Sequence, residues 1–238
     1  MRLIYAHRSE DFFGPVPYPL DLDAVEARDG SNDAIRFLLK QLPPAPARVA
    51  DMGCGHGRHA GPLSNRGYDV SGVDISPRCI RRARERFPAL ALYVADIARM
   101  PFNDAQFDAV YSLYSSLGEH GASSRCALTE AARITRPGGI LLLDVANHQP
   151  LLSVFHEPVP GGWATGVRWR GFRQVQQRNL VVSRSVVGVY RLSHERVARA
   201  LPELAHESGW DVANVWSGFA HEPFCPRSRR LVIRAVRR

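Results

Sequence analysis

The chain has 238 residues, 45% of them apolar, which suits one sizeable α/β domain with a small appendage. No apolar run nears the ~18 residues of a membrane span, the N-terminus MRLIYAHRSEDFFG turns charged too early for a secretory signal, and Cys54, Cys79, Cys126 and Cys225 are too scattered for a zinc or disulfide framework; a cytoplasmic protein is expected. The formal net charge of +8 rests on arginine, with Lys40 the single lysine, so nucleic acid must be weighed as a partner.

Residues 1–30 hold Tyr5, Phe12, Phe13 and Tyr18 among Pro15, Pro17 and Pro19. That is too proline-rich for a helix and too aromatic for a disordered tail. Such a segment packs over a pocket as a lid or against a core as an arm. The main domain is expected over 31–238. Ser31 or Asn32 caps a helix running to about Leu42, with Ile35, Leu38, Leu39 and Leu42 as its buried stripe, and Pro43-Pro44 ends it.

The stretch Arg48–Gly57, RVADMGCGHG, follows. Val49-Ala50 bounded by glycines reads as a short buried strand. Gly53, Gly55 and Gly57 let the backbone bend sharply and let a ligand approach it. A helix after Gly57 is expected, though Gly61-Pro62 interrupts it. Gly55, Gly57 and Ala60 can be fitted to the dinucleotide pattern G-x-G-x-x-G/A, whose pyrophosphate sits on helix-start amides. Asp51 argues against it, because a carboxylate beside that loop repels a pyrophosphate. A phosphate-free ligand with a positive end suits the loop better, and S-adenosylmethionine has a sulfonium and an ammonium. Here the sequence resembles the S-adenosylmethionine-dependent methyltransferases with a Rossmann-like fold. Their first motif, an acid followed by G-x-G-x-G, is matched by Asp51, Gly53, Gly55 and Gly57, with Cys54 inside it.

The next strand, Tyr68–Ile75, ends in Asp74. A carboxylate here can accept from both ribose hydroxyls, and Asp74 with Ile75 matches the family's second motif. Ser76 is left to cap the helix that starts near Pro77. In that helix Ile80, Ala83 and Phe87 face inward, which leaves Arg78, Arg81, Arg82, Arg84 and Arg86 outside. A solvated face is favoured over an RNA site. The third strand, Ala91–Ala95, leads to Asp96 and Ile97; the resemblance implies that Asp96 accepts from the adenine amine and that Ile97 packs on the ring.

The fourth strand, Phe107–Leu113, leads into YSSLGEHG. Ligands of open α/β sheets sit beyond the carboxyl ends of the strands, so Tyr114, Ser115, Ser116, Leu117, Glu119 and His120 should border the reacting centre, with Leu113 expected at the cofactor. The Asp/Asn-Pro-Pro-Tyr motif of the family's DNA amine methyltransferases is missing here. The segment looks more like the small-molecule branch, amino-sugar N-methyltransferases included. A helix over about Ser123–Thr135 is stopped by Arg136-Pro137-Gly138-Gly139, and Ile140–Val145 reads as a central parallel strand.

After Asn147 the periodicity changes. Gly161–Tyr190 alternates and reads as antiparallel strands inserted at about 150–190. A helix from Ser193 or His194 to about Ser208 and a closing pair, Trp210–Trp216 and Arg230–Val236, complete the chain. The expected fold is a Rossmann-like three-layer sandwich: a mostly parallel seven-stranded sheet with an antiparallel last strand, plus a small antiparallel insert. The resemblance implies an N-terminal lid over the cofactor.

Methyl transfer is an in-line displacement at an already activated carbon, so orientation does most of the work. A hydroxyl acceptor benefits from a base. The candidates are His120 and His148, with Tyr5 as a further catalytic candidate. Tyr18, Tyr114 and Glu119 are candidate acceptor contacts. His56-x-x-His59 has helical spacing, but no third ligand converges on it, so no metal is expected. The favoured reading is a small-molecule N- or O-methyltransferase, monomeric or homodimeric. An RNA methyltransferase, a non-catalytic S-adenosylmethionine-binding protein and a dehydrogenase are the rivals.

Overall fold

The computed structural model describes residues 3–5, 31–114, 117, 124–146, 153–159, 162–169, 172–175, 180–182, 187–189, 194–225, 228 and 230–238. In chain order its elements are β1 (Leu3–Tyr5), α1 (Ser31–Gln41), β2 (Arg48–Met52), α2 (Ala60–Ser64), β3 (Asp69–Asp74), α3 (Pro77–Arg86), β4 (Ala91–Val94), β5 (Phe107–Ser112), α4 (Ser124–Ile134), β6 (Thr135–Ala146), β7 (Ser153–Val159), β8 (Gly162–Trp169), β9 (Phe172–Val175), β10 (Leu180–Val182), β11 (Val187–Val189), α5 (His194–Glu207), β12 (Trp210–Trp216) and β13 (Arg230–Arg237).

Seven strands form the main sheet in the order β12-β13-β6-β5-β2-β3-β4. β2, β3, β4, β5 and β6 run parallel, and β13 runs antiparallel to both β6 and β12. This is the expected sheet. Its strands alternate between two apolar layers, as the pleat requires. Ala50, Met52, Val110, Leu141 and Leu143 meet Leu128 and Ala131 of α4 and Leu201 and Ala205 of α5. Val49, Ala109, Tyr111 and Leu142 meet Phe37 and Leu38 of α1, Leu63 of α2 and Ile80 of α3. The result is three layers with helices on both faces, which is what near-continuous aliphatic strands demand.

Local chemistry sets the boundaries. In α3 Pro77 opens the helix and the Ser76 hydroxyl accepts from the Cys79 amide at 3.3 Å, as a capping serine does. Its arginines are exposed, and Arg84 donates to the Leu92 carbonyl at 2.7 Å. Trp210 is fully buried and satisfies its indole by donating to the Leu128 carbonyl at 3.0 Å.

Three details differ from expectation. The helix after the glycine loop shrinks to the five residues of α2, with Pro62 inside it, because proline removes a donor from the helix interior. The Arg136–Gly139 segment does not simply end α4. It is drawn into β6, whose pairing jumps from Thr135 opposite Phe107 to Ile140 opposite Ala109, with Gly138 at φ +73° making the irregularity. Leu3–Tyr5 of the expected arm is a strand, parallel to Val187–Val189. It joins a second, six-stranded sheet ordered β1-β11-β10-β9-β8-β7, whose inserted strands are antiparallel as expected.

Gly61 of α2 faces Phe87 at the end of α3, and a β-carbon there would overlap the Phe87 ring. Gly61→Ala should therefore destabilise the fold by about 1–3 kcal/mol, the usual cost of overpacking. Chemical denaturation checks this, and Phe87→Leu in the same chain should recover part of the loss.

Candidate active site

Strand polarity brings the candidate acids together. β2, β3, β4 and β5 all end at one edge of the sheet, β6 ends there too, and the antiparallel β13 begins there with Arg230 opposite Ala146. Alternation along the strands places Asp51, Tyr111, Asp144 and Arg230 on the sheet face shared with Val49, Ala109, Leu142 and Val232. The site is thus an edge, topped by the loop after β2.

Asp51 is buried at 2% exposure. The Tyr111 hydroxyl donates to its Oδ2 at 2.9 Å. Burial pushes the Asp51 carboxyl up to about 7, and the negative charge of Asp74 adds to the rise; the Tyr111 bond and the Arg58 guanidinium oppose it. The Tyr111 hydroxyl is itself raised well above its ordinary range, chiefly by burial and then by Asp51.

The loop is tied to β3. The Gly53 and Cys54 amides both donate to the Val73 carbonyl, at 2.8 and 2.9 Å. The Gly55 amide donates to Asp74 Oδ2 at 2.8 Å, and the Ser76 amide donates to Oδ1 at 2.9 Å. Asp74 thereby fixes the loop and the start of α3 at once. Gly55, at φ +54°, has open space where a β-carbon would sit, with nothing within 4 Å. Gly57, at φ +84°, lies instead against the Phe87 ring. Among the described residues, the Gly55 side of the bend is open and the Gly57 side is packed.

Cys54 is buried beneath the loop, where a β-carbon on Gly72 would lie 2.9 Å from its Sγ. Burial raises its thiol well above the ordinary range, so it acts as packing. Asp96 is exposed, and its Oδ1 accepts from the Ala98 amide at 2.8 Å. Ile75 is half-buried, while Ile97 is taken into the core among Val73, Met100 and Phe102. Leu113 is buried with the α1–α3 layer.

Tyr114 leaves β5 at φ +61°, a left-handed backbone unusual for an aromatic residue. Its amide donates to Asp144 Oδ2 at 2.8 Å. Asp144 is fully buried and holds Arg230 through Nε at 2.8 Å and Nη2 at 2.5 Å. The Arg230 guanidinium lies 4.5 Å from the Tyr114 ring centroid and 5.1 Å from that of Phe219. The Arg58 guanidinium lies 3.7 Å from the Tyr114 centroid, and the His59 ring stacks on Tyr114 at 5.3 Å and 16°. Burial holds the His59 imidazole well below its ordinary range, helped by the charges of Arg58, His56 and Arg230.

Asp51, Gly53, Cys54, Gly55, Gly57, Asp74, Ile75, Asp96, Ile97, Leu113 and Tyr114 therefore gather at or beneath one edge. Tyr5 is the last residue of β1 in the second sheet, in register with Val189. Tyr18, Glu119, His120 and His148 lie outside the described residues, as do Ser115 and Ser116. Tyr111, Asp144, Arg230, Arg58 and Phe219 were not singled out from sequence. A charged residue inside LLLDV was the available signal for Asp144, since a carboxylate in a buried strand must be paired.

Residues 49–139 match the family described as a methyltransferase domain. A demethylmenaquinone methyltransferase from Beutenbergia cavernae is 38% identical over 139 residues, 54% of this chain and 57% of that protein. A 2-methyl-6-phytyl-1,4-hydroquinone methyltransferase from a Synechocystis strain is 35% identical over 129 residues, 51% of this chain and 40% of that protein. The chain thus spans about half the length of the curated relatives it matches. The structure of S-adenosylmethionine-bound CalS10, an amino pentose methyltransferase from Micromonospora echinaspora, superposes with a TM-score of 0.60 at 20% identity, covering 94% of this chain and 99% of that one. At that identity the likeness establishes the fold.

The raised Asp51 carboxyl has a consequence for stability. An unfolded aspartate ionises near 3.8, but the folded one ionises near 7. Between those values the folded chain keeps a proton that the unfolded chain has lost, so this group's contribution to stability falls as pH rises from about 4 to about 7 and is level above that. Asp51→Asn should remove the decline. Urea midpoints at pH 5 and pH 8 should lie closer together in the variant than in the parent; an unchanged difference would contradict the burial of an ionisable group.

Proposed function

We propose, for a chain whose residues 49–139 match a methyltransferase domain and whose sheet is Rossmann-like, an S-adenosylmethionine-dependent methyltransferase acting in the cytoplasm on a small-molecule acceptor at nitrogen or oxygen. One observation carries this: Asp51, Asp74 and Asp96 stand at or just past three adjacent parallel strand ends around the open side of Gly55. That donor set fits a cationic, phosphate-free nucleoside. A bare backbone bend admits it closely, a buried carboxylate suits its ammonium, and the outer acids suit its hydroxyls and base amine.

S-adenosylmethionine, when bound, supplies a methyl group activated by the sulfonium. Gly55 leaves room for its close approach. Asp51, held by Tyr111, would take the ammonium, exchanging part of its desolvation penalty for an ion pair. Asp74, locked by the Gly55 and Ser76 amides, would receive the ribose hydroxyls, which a carboxylate can accept as a pair. Asp96, turned by its Ala98 bond, would accept from the adenine amine. The enzyme's part is orientation, an effect that can be worth about 7–11 kcal/mol.

On the acceptor side, Tyr114 is a proposed contact, with the Phe219 ring beside it at a centroid distance of 6.0 Å. His120 and His148 follow β5 and β6 in the chain and are the proposed bases, with Glu119, Tyr18 and Tyr5 as proposed acceptor contacts. The named relatives are a demethylmenaquinone and a hydroquinone methyltransferase, and the amino pentose methyltransferase shares the fold, so small organic acceptors are the class to screen. No helix among the described residues is long and apolar enough to cross a membrane.

Calorimetry with S-adenosylhomocysteine should show binding to the intact protein. Asp74→Asn should weaken it by about 10–100-fold, since charge-assisted hydrogen bonds of about 1.5–3 kcal/mol are lost. Mass spectrometry of acceptor mixtures should then detect a 14 Da gain (~14, one methylene) only when S-adenosylmethionine is present. A protein that takes up neither nucleoside contradicts the proposal.

A further inference from the structure

The turn between β12 and β13 stands at the same edge of the sheet. β13 starts at that edge and β12 runs antiparallel to it, so β12 ends there, with Trp216 opposite Val232. The Ser217 amide donates to the Glu222 carbonyl at 2.8 Å, the His221 amide donates to the Gly218 carbonyl at 3.4 Å, and Trp216 is bridged to Pro223. Phe219 and Ala220 are thereby left at the tip of a tight turn. Hairpin turns that close on a left-handed residue ordinarily place glycine there. This chain places His221 there, at φ +67°.

A side chain at a strained backbone position persists where its surroundings hold it. The His221 ring lies 5.3 Å from the Phe37 ring of α1 and 4.8 Å, edge-on, from the Trp216 ring. Gln41, the last residue of α1, brings its Nε2 to 2.8 Å from the His221 Nε2. An amide nitrogen donates, so the ring nitrogen accepts. The turn is thus clipped to α1, and the clip decides where the tip goes. Phe219 lies 5.4 Å from Phe37 and 6.0 Å from Tyr114, with the Arg230 guanidinium 5.1 Å from its ring. It remains half-buried, so part of its apolar surface is open to a ligand at the edge. The Phe219–Tyr114 separation is that of a direct aromatic contact. A ligand ring would therefore meet their shared rim rather than slide between them.

We infer that Phe219 is a specificity-determining contact for an acceptor with a planar aromatic ring, and that His221 positions it by clipping the turn to Gln41; the inference rests on the methyltransferase reading above. Aromatic rings attract one another through their quadrupoles, and a saturated ring of similar size has no such quadrupole. The rim formed by Phe219 and Tyr114 therefore selects for a π system rather than for apolar bulk alone. The clip touches neither the glycine loop nor the acids that end β2 and β3, so nucleoside affinity should not depend on it.

Calorimetry on the intact protein loaded with S-adenosylhomocysteine tests this with two probes, 2-naphthol and its saturated counterpart decahydro-2-naphthol. The parent should prefer the aromatic probe by about 3–10-fold, the range that one aromatic pair provides. Phe219→Leu keeps apolar bulk at the tip and should abolish most of that preference, whereas Phe219→Tyr should retain it. Both should bind S-adenosylhomocysteine within about twofold of the parent, since the cofactor contacts lie elsewhere. His221→Gly suits the backbone but drops the clip, and should weaken 2-naphthol several-fold. Gln41→Ala should weaken it as much, and the double variant should be no worse than either, as expected of two residues acting through one bond. An aromatic preference unchanged in Phe219→Leu, or a parent that binds the nucleoside but shows no preference, overturns the inference. Additive losses for Gln41 and His221 overturn the positioning role. A parent that takes up no S-adenosylhomocysteine defeats the methyltransferase reading itself, which is a separate failure from the loss of selection between the two probes.

Discussion

Two bonds to the Asp74 carboxylate hold this site together. One oxygen takes the Gly55 amide from the loop after β2, and the other takes the Ser76 amide at the start of α3. A bend with three glycines at positive φ has many conformations in the unfolded chain and needs such anchors to adopt one. The Val73 carbonyl adds two more bonds from below. Together they fix the bend over β2 and β3 while leaving the Gly55 side open.

The anchoring sets up an electrostatic imbalance. Asp51 is buried beneath the bend, supported by one neutral hydroxyl. Such a carboxylate is costly to ionise without a nearby cation. Arg58 is close enough to lower its pKa yet is drawn onto the Tyr114 ring. By contrast, Asp144, equally buried, has its cation in place through Arg230. One acid is satisfied and structural; the other awaits a partner. That difference within a single sheet edge supports the proposal that Asp51 meets a ligand that brings its own positive charge.

Much of this was legible in the sequence because its signals are local. The glycine spacing, the acids that end YDVSGVDI and ALYVAD, and the caps Ser76 and Pro77 each depend on near neighbours, and the helices and sheet strands followed with small shifts of boundary. Non-local features were not legible. Tyr111 and Asp51 are sixty positions apart, Asp144 and Arg230 eighty-six. Their pairing follows from sheet order and from the reversed direction of β13, which no spacing within the chain reveals. The one-turn α2 was half visible through Pro62, but the packing of Gly61 on Phe87 was not. The burial of Ile97 among Val73, Met100 and Phe102 likewise depends on packing that its motif position does not reveal.

The central claim is that Asp51 is a buried acid whose ionised form is stabilised by the ligand's cation. Its most direct test is the carbon-13 carboxyl resonance of Asp51, followed by NMR at pH 6 as S-adenosylhomocysteine is added. The account predicts a move from the protonated to the ionised position on binding, with the free protein titrating near 7. A resonance that already lies at the ionised position in the free protein, or that does not move on saturation, would contradict it.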